Sequence, residues 1–436
     1  MRIGRVLAFL VVLLFSATSA MAAGFRLPEA GAKAMAMGFA FTAQADDPSA
    51  IYFNPAGITQ LEGTNVKVGV TYVRENGAEF TGITGLTGGV SMSETQEDLD
   101  FFIPNAFVTR KASPNFAYGI GLFAPFGLGQ EYKDHHTNIF RNKINQIDLM
   151  TLVLNPTVAY KINDFLSVGA GIDFMYGKAE LHQTGVIPGL VDPLFTLHLE
   201  GDGTAWGYNF GALLTPTKRL KIGASYRSKF DLNIKDGDVH LREIDGAVPL
   251  PFAGGATAAQ IFGGIEFNTD GSTTLHLPAT AALGIAYVWD RLTLEVDADW
   301  TFWHSYKSLA IDFKQNTPLL PDSSVRKEWD DVVAIYVGGE YRVTDPLALR
   351  LGFRYDPTPV PADTMGPELP DADRLYYCAG AGYKVSNWTF DLAYMYVDKK
   401  DRTVNNLTDA APDVNNFNGT WKGDAHLVAL DIGYKF

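Results

Sequence analysis

The chain is built from short segments in which apolar residues recur at every second position, and beyond residue 22 no apolar run approaches the roughly 20 residues that a membrane helix needs. Period-two alternation puts one set of side chains on each face of an extended strand. Over 164–182, Leu166, Val168, Ala170, Ile172, Phe174 and Tyr176 share one face, and Ser167, Gly169, Gly171 and Asp173 the other. Over 290–311, Leu292, Leu294, Val296, Ala298, Trp300 and Phe302 oppose Thr293, Glu295, Asp297 and Asp299. Over 346–357, Leu347, Leu349, Leu351 and Phe353 oppose Ala348, Arg350, Gly352 and Arg354. Fourteen such segments are readable: about 64–75, 101–111, 115–127, 147–161, 164–182, 202–215, 218–236, 273–288, 290–311, 329–343, 346–357, 373–385, 387–399 and 423–436.

The connections discriminate between folds. Six are short, around 112–114, Asn163, Pro216, Asp290, 344–345 and Ser386, and they alternate strictly with seven long ones. An up-and-down barrel of the bacterial outer membrane has that layout, with short periplasmic turns and long external loops. A soluble β-sandwich needs Greek-key crossovers, and it does not place Glu295, Asp297 and Asp299 together on an inward face behind an unbroken apolar row. The expected fold is therefore all-β, a 14-stranded antiparallel transmembrane β-barrel. In the closing stretch AHLVALDIGYKF, Val428, Leu430 and Ile432 would meet lipid, with Tyr434 and Phe436 at headgroup level. Pairing of this last strand with the first leaves no bare edge in hydrocarbon, where each unsatisfied amide costs several kcal/mol. Trp289 and Trp388 are expected in the periplasmic aromatic girdle, and Trp206, Trp300 and Trp303 in the external one.

Arg2 and Arg5 precede an apolar run from Val6 to Phe15, followed by small residues and Ala20-Met21-Ala22, so residues 1–22 read as a secretory signal cleaved after Ala22. Its removal takes two positive charges and no acidic residue, moving the formal charge from −14 to −16, which argues against nucleic acid as a partner. The single cysteine, Cys378, excludes an intramolecular disulfide and a Cys-x-x-Cys redox pair.

Residues 23–63 break the alternation. They are rich in small and turn-forming residues, yet carry Phe25, Met35, Met37, Phe39, Phe41, Ile51, Tyr52 and Phe53, too many apolar groups for a permanently solvated tail. A fourteen-strand lumen is too wide for wall side chains to fill. This segment is expected to plug the barrel as an N-terminal hatch, with the barrel itself spanning 64–436.

The acidic pair Asp46-Asp47 followed by Asn54-Pro55-Ala56, the Gly24-Phe25 start of the mature chain, and the two-part signature Tyr355, Asp356, Pro359, Val360, Pro361 with Pro370, Asp371, Asp373 and Arg374 together resemble the long-chain fatty-acid and hydrocarbon transporter family of the outer membrane, often called FadL. The stretch DWTFWHSYKSL (299–309) fits as well, and the similarity spans essentially the whole mature chain. The resemblance implies a hatch, a lumen pocket lined by the start of the mature chain near Phe25, and a kink in the third strand through which cargo leaves sideways.

The residues themselves support such a path. Two long external loops, 185–199 and 247–267, are apolar where water should make them polar, and Ile187, Leu190, Leu194, Phe195, Leu250, Phe252, Ile261 and Phe262 are candidate capture residues. Lys307, Arg354 and Arg374 could hold a fatty-acid carboxylate, or could pair with Glu295, Asp297 or Asp299. Pro125 cannot donate to a ladder and Gly127 and Gly129 weaken the strand beyond it, so a bend is expected around Pro125, Phe126 and Gly127, with Pro104 and Pro156 removing donors from the neighbouring strands.

Catalysis has no foothold: no Gly-x-Ser-x-Gly occurs, and no Ser–His pair presents itself for an outer-membrane lipase. The eight histidines show no His-x-x-x-His spacing with a carboxylate, so no metal site and no cofactor are nominated. The expected function is passive uptake of hydrophobic small molecules, long-chain fatty acids or hydrocarbons, by a monomer surrounded by outer-membrane lipid and lipopolysaccharide. The alternative is a general or sugar-selective porin, which would have no structured N-terminal segment.

Overall fold

The computed structural model describes residues 24–185, 195–243, 266–317, 320–407 and 416–436, with the isolated positions 255, 257 and 260. The expected signal segment lies outside them. Fourteen strands run antiparallel around a closed ring: β1 (Thr64–Thr84), β2 (Leu99–Lys111), β3 (Phe116–Phe123, resuming as Gly127–Glu131), β4 (Gln146–Lys161), β5 (Leu166–Gly185), β6 (Phe195–Leu214), β7 (Leu220–Arg227, resuming as Phe230–Glu243), β8 (Glu266–Leu277, resuming as Ala279–Trp289), β9 (Leu292–Phe302, resuming as Ser308–Phe313), β10 (Val332–Arg342), β11 (Leu347–Asp356), β12 (Arg374–Val385), β13 (Trp388–Asn405) and β14 (Phe417–Lys435). The ring closes where β1 pairs with β14, from Asn65↔Lys435 to Thr84↔Phe417.

Side chains alternate between lipid and lumen as the sequence requires. Val428, Leu430 and Ile432 are exposed on the outer face, and Trp289, Trp388 and Phe436 stand exposed at the short-turn end. Trp206 is exposed near the other rim. Trp303 departs from expectation. A short 3-10 turn, Trp303–Ser305, interrupts β9 and carries the indole inside, where it is fully buried.

Residues 24–63 pass through the lumen, and nearly all of 24–59 is shielded from solvent. The segment contains two short helices, α1 (Ala32–Ala36) and α2 (Ala50–Phe53), and a 3-10 turn, Pro55–Gln60. Asn54 caps that turn by accepting from the Ala56 amide, and its Nδ2 donates to the carbonyls of Thr42 (2.8 Å) and of Ala212 in the wall (3.0 Å).

Between these elements some amides bond to the segment's own carbonyls, as Phe39 does to Ala34 (2.8 Å), but a run of others is met by inward carboxylates of the wall. Asp297 accepts from the amides of Phe41 (3.0 Å) and Thr42 (2.9 Å), Glu295 from those of Ala43 (2.6 Å) and Gln44 (2.9 Å), and Asp299 takes both terminal nitrogens of Arg26 (2.5 and 2.9 Å). Asp431, in the closing strand, accepts from the Ala32 amide at 2.7 Å and from Lys67 at 2.6 Å. The acidic pair is divided between two lysines: Asp47 meets Lys67 at 2.9 Å and Asp46 meets Lys33 at 2.8 Å.

Glycines bring the two backbones together. A Cβ on Gly352 would lie 2.0 Å from the amide nitrogen of Gly38, and Gly38 itself has φ +64° with wall backbone 2.8 Å from where its own Cβ would be. The next residue, Phe39, also holds a positive φ of 68°, a conformation that costs a non-glycine residue about 1–3 kcal/mol. The Arg354 guanidinium lies against its ring, 5.6 Å from the centroid.

Hydrogen bonds to charged acceptors contribute about 1.5–3 kcal/mol each. In the double substitution Glu295→Ala/Asp297→Ala, the amides of residues 41–44 should exchange with deuterium at least about 100-fold faster, while the barrel keeps its resistance to SDS at room temperature. Unchanged exchange at those four amides would show that the carboxylates do not hold the segment.

Candidate functional site

Above the membrane band the alternation persists but its chemistry inverts. On β5, Tyr176 is the last apolar outward residue; Lys178, Glu180 and His182 follow on that face, while Ala179 and Leu181 point inward. On β6, Leu197 and Leu199 face in. With Leu128, Ile147, Leu309 and Ile311 they enclose two adjoining apolar spaces of about 140 and about 290 Å³. The second ends at the external loops, where Lys143, Gln183, Lys327 and Glu368 line it. Burial would raise the Glu368 carboxyl, but Lys327, in contact with it, and Lys143 hold it down at about 2.

Phe25 lines both spaces. Its ring packs against Trp303 (centroids 4.8 Å apart), Trp329 (5.4 Å), Tyr306 (5.5 Å) and Phe126 (6.3 Å). Gly24 is fixed by a hydrogen bond from its amide to Asp371 at 3.1 Å. A third space, about 40 Å³ and more polar, involves Arg26, Tyr52, Arg227, Asp299 and Tyr336, together with Pro125 and Phe126.

The wall beside Phe25 is broken. β2 and β3 pair from Lys111↔Ala117 to Ala106↔Leu122, and next meet at the bridge Gln96↔Tyr132. Between these points β3 stops at Phe123 and resumes at Gly127. Pro125 has no N–H to give. The freed groups find other partners: the Phe126 amide donates to Thr151 Oγ1 (3.1 Å), and that hydroxyl donates to the Phe126 carbonyl (2.6 Å). The Leu27 amide donates to the Pro125 carbonyl (2.8 Å) and the Gly127 amide to the Phe25 carbonyl (2.9 Å). Residues 25–27 thus form a short antiparallel pairing with the break itself, centred on Arg26↔Phe126. Pro156 leaves a smaller gap between β4 and β5, where Asn155 Nδ2 donates to the Ile172 carbonyl in its place.

Of the cations nominated from sequence, none lines the apolar spaces. Arg354 is buried between Tyr336 and Tyr376 and pairs with Asp356. Arg374 is buried and pairs with Asp371. Lys307 is exposed. None of the three meets Glu295, Asp297 or Asp299, which bind the N-terminal segment instead. Lys143 and Lys327, at the loop end, were not nominated. Among the capture residues, Phe195 opens β6 with its ring over Gly185. Ile187, Leu190, Leu194, Leu250, Phe252, Ile261 and Phe262 lie outside the described residues.

Residues 13–436 match the profile of a family described as outer membrane protein transport protein (OMPP1/FadL/TodX). The chain belongs to this family. It is 28% identical to a long-chain fatty acid transport protein of Escherichia coli O6:H1 over 406 residues, covering 86% of each chain, and 27% identical to outer membrane protein P1 of Haemophilus influenzae, covering 97% of each. Its fold is similar to that of a Pseudomonas aeruginosa FadL homologue, with a TM-score of 0.81 at 22% identity over 95% of this chain and all of that one. It also matches the Ralstonia pickettii toluene transporter TbuX, with a TM-score of 0.68 at 19% identity over 93% and 98% of the two chains. This OMPP1/FadL/TodX protein is accordingly a protein of the bacterial outer membrane, and its relatives named by activity are transporters and channels, not enzymes. No observation favours the porin reading.

Leu199 lines both apolar spaces. Replacing it with tryptophan should overfill them, at a cost of about 1–3 kcal/mol, equivalent to a roughly 5- to 150-fold loss of affinity for a long-chain ligand. Fluorescent fatty-acid titration of the detergent-solubilised protein checks this, and unchanged affinity would place the ligand elsewhere.

Proposed function

We propose that this protein passively admits hydrophobic small molecules, long-chain fatty acids or hydrocarbons, and releases them sideways into the outer membrane through the gap between β2 and β3. The observation that carries the reading is the pairing of residues 25–27 with Pro125–Gly127, which puts the innermost wall of the apolar space and the backbone of the wall break under one set of hydrogen bonds. Residues 23–63 act as the hatch, and 64–436 as the barrel around it.

Cargo enters from the external loops and lies along Leu181, Leu199, Leu309 and Ile311 with its leading end against Phe25. A carboxylate head group would remain at the Lys143 and Lys327 end, whereas an uncharged hydrocarbon would need no such partner. Displacement of Phe25 removes the obstruction beside Phe126 and leaves the break unpaired. Lateral exit is favoured because each methylene moved from water into lipid gains about 0.8 kcal/mol, so release into periplasmic water would oppose the transfer. No energy source is required.

Arg26 and Phe126 form a non-hydrogen-bonded antiparallel pair, the closer kind, so cysteines at both positions can form a disulfide. In a Cys378→Ala background, Arg26→Cys/Phe126→Cys should bind ligand yet lose most uptake when oxidised, and regain it on reduction. Full uptake by the oxidised protein would exclude movement of this segment as the gate.

A further inference from the structure

On the outer surface of the extended strands, above the lipid band, two lateral rows of polar residues run in register across β4 to β8. One row reads Asp148, Glu180, Glu200, Asp238 and Asp270, each directly opposite the next. The row above it reads Gln146, His182, His198, His240 and Asn268. Like charges facing one another across a sheet are destabilising, so the acidic row sets up a field that favours a cation.

Imidazoles converge on one point of that field. Glu180 Oε1 lies 2.8 Å from His182 Nε2 and 3.2 Å from His198 Nε2, and the three ligand atoms all fall within 4.8 Å of one another. The two rings stack with centroids 4.1 Å apart. His198 Nε2 is screened from solvent and makes no hydrogen bond. Ligand atoms bound at about 2.0–2.2 Å to a tetrahedral ion stand a little over 3 Å apart, so small side-chain rotations suffice. His240, directly opposite His198, has its Nδ1 held 2.8 Å from Asn268 Oδ1, which directs Nε2 away as a further donor. Lys178, beside these three residues, is engaged by Glu200, and Lys314 meets Asp270 at the far end of the row.

We propose that Glu180, His182 and His198 form a surface site for a first-row transition dication such as Zn²⁺ or Ni²⁺, with water or His240 completing its shell. Imidazole and carboxylate donors suit these ions, whereas Mg²⁺ and Ca²⁺ prefer oxygen alone. The bound ion bridges β5 and β6 on the face opposite Leu181, Leu197 and Leu199, so it braces the strand pair that forms one side of the ligand space.

The test is isothermal titration of ZnCl₂ into the chelator-treated full-length protein in detergent, with Zn X-ray absorption on the product. Expected are one site per chain, two imidazole nitrogens in the first shell, and at least about a tenfold loss of affinity in His198→Ala and in Glu180→Gln. These side chains are on the surface, and unaltered heat-modifiable gel mobility will confirm that both variants fold. Three results would overturn the proposal: no binding, Zn²⁺ affinity unchanged in both variants, or binding of Mg²⁺ as tight as that of Zn²⁺.

Discussion

Backbone amides inside a barrel must find partners away from its closed ladder, and the placement of the N-terminal segment depends on how those of residues 41–44 are met. Glu295, Asp297 and Asp299 project from one face of one strand and take four amides and a guanidinium from residues 26–44. Each carboxylate would be expensive to bury alone, and each amide would be expensive to leave bare. Together they satisfy one another. Because the acceptors stand on a rigid ladder, they also set the height and rotation of the segment, and so bring Phe25 to the wall break.

That placement links two features far apart in the chain. The gap in β3 exists because Pro125 cannot donate and the ladder to β2 lapses between Ala106↔Leu122 and Gln96↔Tyr132. In hydrocarbon such a lapse is tolerated only where the freed groups are met from within the protein. Thr151 meets one side, and Phe25 and Leu27 the other. The residues that close off the apolar space are thus the same residues that make the break tolerable.

The membrane-spanning parts of all fourteen strands were legible because lipid enforces apolar alternation. Their extensions were not, since outside lipid the outward face becomes charged: β13 reads to residue 399 but runs to Asn405, and β6 reads from 202 but starts at Phe195. The same inversion, Lys178, Glu180 and His182 outside with Ala179 and Leu181 inside, is the signal that could have revealed the apolar space. The N-terminal segment was visible as a break in period, Phe25 as part of a resemblance, and the interruption of β3 as Pro125. Which carboxylate met which amide was not, because those contacts join residues about 250 positions apart. Trp303 misled for a local reason: alternation predicts a rim residue, and the turn at 303–305 rotates it inward. Arg354 and Arg374 were open between a fatty-acid carboxylate and Glu295, Asp297 or Asp299, and the structure gives them nearer partners, Asp356 on the same strand face and Asp371 in the loop before β12.

Planar-bilayer conductance of the intact protein against a variant lacking residues 24–45 tests the account most directly. A lumen filled by its own leading segment predicts a nearly silent intact protein and a large, steady ionic conductance once the segment is removed. Free ion flow through the intact protein, or silence in both, would contradict it.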